Sequence, residues 1–433
     1  MILRKQHPTN PFRGENNMGT TDSTTSGFAR IHAMRDMGKI VFADCVLNQE
    51  KIQLVIEARM FSGNQDAIKL SRGDLMEIEG TIRATRTGER SVFVSRIKSI
   101  IKNRSGIVAL PIDNQPLRFS NRHADLALNL PSFSFWKRSS HMLTLIREHL
   151  AMNDFMEFNT GVLQEKWDGG LANAFTTNCR ANNKPYFLSL TSELKLKRLI
   201  AGGFPKVYEI AQSFRNEGMS RDHMPEFALL EVYGVGSDTD DIIKLLEGLI
   251  STVRCHLLSD SPHTADIFPR LEFSALWKQY VGEVDLSLDA LCRKFPEQFK
   301  PKMPEFTWIY KFLNKFVFPA IHEPSFIMHL PKGFSPFART WDDDTRFMQG
   351  GALAIDGLHI ATFSADENDY DTVRNTLANQ QETCDIPVNQ GFLEVLKFGL
   401  PPIVGVGLGI NRLAMTLLGE LPKKARETSL YPL

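Results

Sequence analysis

Two short stretches carry residue types suited to an anionic ligand. Phe214-Arg215-Asn216-Glu217 follows the apolar run KVYEIAQSF and leads into the polar GMSRDHMPE, after which FALLEVY is apolar again. An arginine at a strand end beside a polar loop suits a phosphate or a carboxylate, because its planar fork donates two parallel hydrogen bonds. A surface salt bridge to Glu217 is the plainer alternative, and for an isolated Arg-x-Glu it would win. The second stretch, Gly405-Val406-Gly407-Leu408-Gly409-Ile410-Asn411-Arg412-Leu413, sets three glycines ahead of an arginine on the first turn of a helix. Glycines let a ligand approach the backbone closely, and Arg412 would then supply a cation over a nucleotide. This is not the dinucleotide fingerprint, since no strand–GxGxxG–helix unit with a later acid follows. Alone, the glycine run reads equally well as close packing. The two stretches together, in this order, are much more specific.

The elements that must position these residues are mixed. From about Phe28 to Ile101 apolar positions alternate in VFADCVL, KIQLVIEARMF, LMEIEGTIRATR and RSVFVSRIKSI, with turns such as Arg86-Thr87-Gly88-Glu89 between them. Short strands at regular spacing suggest a small sandwich or barrel. A five-stranded OB barrel is one solution and commonly binds oligonucleotides, although on this pattern alone the ligand could equally be a protein or a sugar. Residues 106–135, with Pro111, Pro116 and Pro131, read as an irregular linker. Met142, Leu143, Leu145, Ile146 and Leu150 place an amphipathic helix over Ser139–Leu150. PYFLSL, KVYEIAQSF and FALLEVYGV read as strands. Thr239–Leu257 and the chain from about Ile410 read as helices. Without strict βαβ alternation, an α+β sheet flanked by helices is expected over 136–433, rather than a doubly wound one.

The chain has 433 residues, enough for two or three domains, with Lys plus Arg equal to Asp plus Glu at 50 each. A neutral total excludes a globally basic nucleic-acid binder but leaves room for a basic patch. The five cysteines, 45, 179, 255, 292 and 384, are scattered without metal-knuckle spacing, as reduced thiols in a cytoplasmic protein would be. No apolar run of membrane-spanning length occurs, and residues 1–27 lack the apolar core of a secretory signal. They are rich in Asn, Thr, Ser and Gly and are expected to be disordered.

Given these motifs, the chain is identified as a member of the class II aminoacyl-tRNA synthetases. KVYEIAQSFRNEG resembles motif 2 of that class and GVGLGINRLAM resembles motif 3. TSELKLKRLIAGGFPKVYEIAQSFRNEGMSRDHMPEFALLEVY and FLEVLKFGLPPIVGVGLGINRL are similar to the lysyl branch in particular. ARIHAMRDMGKIVFADCVLNQEKIQLVI and RGDLMEIEGTIRATRTGERSVFV resemble that branch's anticodon-binding OB domain over 28–105. The resemblance implies a homodimer formed around motif 1. It also implies two steps, in which ATP and an amino acid give an aminoacyl-adenylate and the acyl group then passes to a tRNA. Carried over residue by residue, Arg215 holds the α-phosphate and carboxylate, and Arg412 serves the γ-phosphate side. Phe227 stacks on adenine, Glu217 reads its amino group, and His223 lies near the phosphates. Glu193 accepts from the α-amino group, and Gly170, Glu231, Tyr233, Thr362, Ser364 and Asp366 line the amino-acid pocket. Phe42 and Gln53 meet anticodon bases.

Several positions depart from the family pattern. The two magnesium-binding glutamates fall at Ala352 and His359, although Mg²⁺ is usually held by carboxylates and phosphates. The pocket asparagine is Thr362, the aromatic is Ser364, and the glutamate that pairs with the lysine ε-ammonium is Asp366, one methylene shorter. Asp222 replaces an arginine, Asn411 an aspartate, Gly161 the motif 1 proline and Asn173 an arginine. Two readings therefore stand. One is an enzyme that activates lysine or a related basic amino acid and passes it to tRNA or another acceptor. The other is a catalytically impaired paralogue that binds RNA or regulates a partner on the same scaffold.

Overall fold

The computed structural model describes residues 23–48, 50–61, 70–107, 110–111, 113–167, 172–236, 238–258, 267–283, 285–335, 337–384, 388–419 and 424–432. The chain divides into two compact units at Phe133/Ser134.

In the first unit, β1 (Ser23–Asp36), β2 (Ile40–Leu47), β3 (Glu50–Glu57), β4 (Leu75–Ala84) and β5 (Arg90–Ile101) close a barrel in the order β1-β2-β3-β5-β4. Alternation sets the two faces: Val41, Ala43, Cys45 and Leu47 are buried, while Phe42, Asp44 and Val46 between them are half-buried. The first strand begins earlier than its hydrophobic pattern. Ser23–Gly27, expected to be disordered, pairs with Ile82–Ile78 of β4. Ladder hydrogen bonds use backbone groups, so a Ser/Thr stretch without apolar alternation can complete a barrel edge. Residues 1–22 lie outside the described part.

The stretch expected to be an irregular linker is helical. It holds α1 (Gln115–Ser120), α2 (Arg122–Leu128) and the start of α3 (Leu130–Met152), which extends well before Ser139. Pro116 stands in the first turn of α1, behind an Asn114 side chain that accepts from the Leu117 amide at 3.1 Å. Pro131 stands likewise in the first turn of α3. Proline fits there because its missing N–H would be unpaired in any case, so residues read as breakers are helix starters.

The second unit is built on an eight-stranded sheet. Its members are β6 (Met156–Glu157), β10 (Lys206–Phe214), β11 (Glu226–Val235), β12 (Arg270–Glu272), β13 (Ser325–Met328), β14 (Gly350–Ile355), β15 (Leu358–Ala365) and β16 (Ile403–Gly409), in the order β12-β13-β14-β15-β16-β11-β10-β6. A small sheet of β7 (Leu163–Gln164), β8 (Thr176–Cys179) and β9 (Lys184–Leu188) stands apart from it. One face of the large sheet packs against α3, α5 (Thr239–Leu257) and α11 (Ile410–Leu417). Leu230, Val232, Leu353, Phe363, Val404 and Val406 meet Met142, Ile146, Ile243, Leu246 and Leu413 there. The other face is divided. Towards β14 it is covered by an aromatic cluster around Trp277, Phe312 of α8 (Glu305–Phe312) and Phe318. Towards β10 it is covered by α4 (Glu193–Ala201), α9 (Tyr370–Cys384) and α10 (Gln390–Phe398). The floor between these two covers is the candidate site.

Candidate active site

Strand register brings distant residues into rows on this floor. Glu231 faces Gly407, Gly407 faces Thr362 and Thr362 faces Ala352. The next row is Tyr233, Gly405, Ser364 and Gly350. The glycine run expected to lead into α11 is thus the strand β16 at the middle of the sheet. Its small residues serve the floor: a Cβ at Gly405 would lie 2.2 Å from Tyr233 Cε1, and one at Gly407 3.3 Å from Glu231 Oε2. Close packing and an open pocket floor are here the same requirement.

At the α4 side of the floor the carboxylates gather. Glu231 Oε1 accepts from Thr191 Oγ1 at 2.6 Å and Oε2 from Tyr233 Oη at 2.9 Å. Burial, then the neighbouring Glu193 charge, pushes the Glu231 carboxyl up to about 7. Lys197, one turn along α4 from Glu193, was not singled out in the sequence. Its Nζ lies 2.6 Å from Glu193 Oε1 and 2.6 Å from Asp366 Oδ2. The i, i+4 Glu–Lys spacing was the one signal for it. Ser364 is buried beside this group and Thr362 is half-buried. Gly170 lies outside the described residues.

On the other side of the floor stand the arginines. Arg215 follows β10, and its guanidinium carbon lies 5.1 Å from the centre of the Phe227 ring. Its Nε has no hydrogen-bond partner, and no carboxylate lies within ion-pair distance of Arg215 or Arg412 among the described residues. The salt bridge to Glu217 is therefore not formed, and Glu217 is exposed. Burial lowers the Arg215 pKa, and the field of Arg412 adds to that. Arg412 is held by neutral groups: its Nη1 donates to the His359 carbonyl at 3.1 Å, Nε to the Asp222 carbonyl at 3.4 Å and Nη2 to Tyr310 Oη at 3.4 Å. Nη2 also meets His223 Nε2 at 3.1 Å. Burial and Arg412 lower the His223 pKa. Two guanidiniums without counter-charges form a seat for an anion. Tyr310 comes from α8, outside the stretches that carry the family motifs, and had no signal in the sequence.

The departures from the family pattern now have physical settings. Ala352 is fully buried against the aromatic cluster and offers no donor. The His359 ring stacks on Phe318 with centroids 5.3 Å apart, and its Nε2 meets Ala361 O at 3.1 Å and Thr362 Oγ1 at 3.0 Å. Burial, and then Arg412, brings its pKa down to about 3, so the ring is neutral. A methyl group and a neutral, stacked imidazole beside a guanidinium do not fit a hard divalent cation. Among the described residues there is no group of three or more His, Cys, Asp or Glu that could hold a metal ion. Asn411 has a structural role: its Oδ1 accepts from the Ala228 amide at 2.7 Å while Nδ2 donates to Thr428 Oγ1 at 2.8 Å. Nδ2 also donates to the Thr428 carbonyl at 3.1 Å, a bond that an ionised aspartate, which only accepts, could not make. Gly161 has φ +80, which the motif 1 proline could not adopt. Asn173 offers its carbonyl to the Asn216 amide at 2.8 Å.

On the barrel, Phe42 pairs with Val55, Asp44 with Gln53, Gln53 with Ser91 and Val55 with Phe93. These residues share the face turned away from the barrel core. Gln53 is buried on it, accepting from Ser91 Oγ at 3.3 Å. Arg83 lies 4.0 Å from the Phe93 ring centre, an aromatic–cation pair that the sequence reading missed.

Residues 114–433 match the family described as tRNA synthetases class II (D, K and N). The chain is 30% identical to the lysine–tRNA ligase of Methanospirillum hungatei JF-1 over 432 residues, covering 93% of this chain and 84% of that one. It is 30% identical to the lysine–tRNA ligase of Dehalococcoides mccartyi strain 195, covering 93% and 86%. It is 28% identical to that of Buchnera aphidicola subsp. Acyrthosiphon pisum, covering 99% and 90%. A largely antiparallel sheet, two arginines without carboxylate partners over its floor, a carboxylate-lined pocket on the same floor and an N-terminal five-stranded barrel agree with those matches, and the chain belongs to the class II tRNA synthetases, in their lysyl-type branch.

Proposed function

We propose that the protein activates an amino acid, lysine or a related basic one, as its adenylate with ATP and transfers it to tRNA. The observation that carries this is the pair Arg215 and Arg412, two cations without carboxylate partners on the floor that also holds Glu193 and Glu231. Attack of the amino-acid carboxylate on the α-phosphate joins two anionic groups, so the reaction needs positioned cations and little else from the protein. Arg215 bridges the α-phosphate and the attacking carboxylate. Arg412 sits over the γ-phosphate side, with His223 beside it. Phe227, already under the Arg215 guanidinium, carries the adenine, and Glu217 reads its amino group. Glu193 receives the α-ammonium, while Glu231, Tyr233, Thr362 and Ser364 bound the side chain. ATP brings its own Mg²⁺ in solution, and among the described residues no cluster of carboxylates is placed to take that ion up. The acceptor's anticodon is read on the barrel face around Phe42 and Gln53. A homodimer is the assembly that the family implies. No helix among the described residues is long and apolar enough to cross a membrane.

The test is ATP–pyrophosphate exchange on the full chain with Mg²⁺ and a panel of lysine, ornithine and arginine. Exchange dependent on one of them is expected. A folded protein that exchanges with none, yet binds RNA, would favour a silent paralogue. For the barrel, Phe42→Ala is expected to weaken tRNA binding by about tenfold or more, as the loss of one stacked base does, and to leave exchange unchanged. Unaltered RNA affinity in a filter-binding titration would remove the anticodon role.

A further inference from the structure

The two positions where the family carries its metal-binding glutamates lie in an aromatic enclosure that a guanidinium closes. The His359 ring stacks on Phe318 at 5.3 Å and stands edge-on to Tyr310 at 5.9 Å and to Phe334 at 6.2 Å. Tyr310 stacks in turn on Phe306 at 5.8 Å, and Ala352 is buried in the same cluster as Phe318 and Phe334. Both nitrogens of the neutral imidazole are occupied. Ala361 O lies 3.1 Å from Nε2, and a carbonyl only accepts, so Nε2 carries the proton. Nδ1 then holds the ring's lone pair, and it faces Arg412 Nη1 at 3.5 Å. No lone pair of the ring is left for a metal. We propose that the nucleotide binds here without a divalent ion held by the protein, the guanidiniums of Arg215 and Arg412 supplying the positive charge, so that Mg²⁺ does not raise its affinity. This rests on reading the arginine side of the floor as an ATP site.

The sign of the metal effect follows from the charges. Where carboxylates hold an ion and the ion holds the phosphates, metal and nucleotide each bind more tightly with the other present. Here that bridge is missing, and Mg²⁺ on the nucleotide acts only against the arginines. It cancels part of the triphosphate charge and takes oxygens that the guanidinium forks would otherwise bond. Arg412 is fixed by neutral partners alone, the His359 and Asp222 carbonyls, Tyr310 Oη and His223 Nε2, so its charge stays available to an anion. Acidic groups near the seat do not restore the bridge. Glu217 and Glu231 add to the field at Arg215 without coming within ion-pair distance. Asp222 has an Oδ1 without a hydrogen-bond partner, 3.7 Å from Arg221 Nε, but it is a single carboxylate. Among the described residues no further His, Cys, Asp or Glu pair joins it in a group that could hold an ion.

The test is calorimetry on the full-length protein with the α,β-methylene analogue of ATP, which cannot form an adenylate, at one ionic strength in EDTA and in excess Mg²⁺. Binding in EDTA is expected to match that in Mg²⁺ or to be up to about tenfold tighter. A Kd that Mg²⁺ lowers by more than about threefold overturns the proposal. Linkage supplies an independent check on the same wild-type protein. Mn²⁺, followed by the EPR signal of the free ion, should bind the analogue no more tightly with the protein than in buffer, and tighter uptake with the protein overturns the proposal. Asp222→Asn is expected to keep the wild-type ratio of the two affinities. A wild-type preference for Mg²⁺ that this change removes would place the ion on Asp222, and the proposal would fall. Folded protein that binds the analogue in neither buffer removes the ATP reading of the site, and this inference with it.

Discussion

Arg215→Met is expected to lower amino-acid-dependent ATP–pyrophosphate exchange by about a thousandfold while leaving Tm unchanged or raised. The two halves of this expectation come from one feature. The guanidinium is held at the end of β10 over Phe227, and among the described residues no carboxylate is in ion-pair reach and no group accepts from its Nε. A desolvated cation without a partner opposes folding, which is why burial lowers its pKa. Methionine keeps the stem volume and removes the charge, so the folded protein loses the contact over Phe227 and is relieved of a desolvated cation. The transition state loses the one donor placed to bridge α-phosphate and carboxylate. Arg215→Lys should recover little, because a point charge cannot donate two parallel bonds. Exchange within tenfold of wild type would sink the assignment. So would a fall in Tm beyond about 4 °C, since that would make Arg215 a structural residue.

The distribution of what could be read in advance follows from the range of the interactions involved. β10, α5 and the start of α11 at Ile410 were placed from local pattern, since each is one uninterrupted apolar period bounded by turn or cap residues. Arg215 and Arg412 were found because each borders a regular element and the two motifs occur together. The rows Glu231–Gly407–Thr362–Ala352 and Tyr233–Gly405–Ser364–Gly350 could not be read, because cross-strand register is set by pairing between distant segments. Lys197 escaped for a related reason. Glu193 lies one turn away and is visible, but Asp366 arrives from after β15. Ser23–Gly27 and residues 115–131 were misread where local composition and final structure disagree. Threonine, serine and helix-starting prolines look like loop residues until a partner strand or a capping side chain is supplied.

Asp125→Ala is expected to destabilise the barrel-containing unit by about 3–5 kcal/mol, the usual consequence of breaking a buried ion network by removing one member. The Asp125 carboxylate is fully buried and gathers four donors: Arg118 Nε at 2.9 Å, Arg122 Nη1 at 2.6 Å, Asn129 Nδ2 at 2.7 Å and Ser132 Oγ at 3.0 Å. Arg118 also donates to Ser132 at 2.9 Å, so one carboxylate ties α1, α2 and the first turn of α3 together. Burial alone would raise its pKa, but the bonds from Arg118, Asn129 and Arg122 outweigh that and hold it below the usual aspartate value. A depressed folded-state pKa contributes stability that is present above the unfolded value of about 4 and is lost as pH falls through the folded value. Wild type should therefore lose stability on acidification below about pH 4 through this group, and Asp125→Asn should be flat over that window. The chain's five tryptophans all lie beyond Phe133, so their fluorescence does not follow this unit. Amide hydrogen exchange does, and protection in α1 and α2 should fall by about 10²- to 10³-fold in Asp125→Ala. Unchanged protection would mean that the backbone caps hold this segment without the carboxylate. Replacing Arg118, Arg122 and Asp125 together by apolar residues of similar volume should be far milder than the single change, because it leaves neither guanidinium buried without the carboxylate that joins them. A triple variant as stable as wild type, beside a single variant several kcal/mol worse, would show that the network fixes where these helices meet rather than adding net stability.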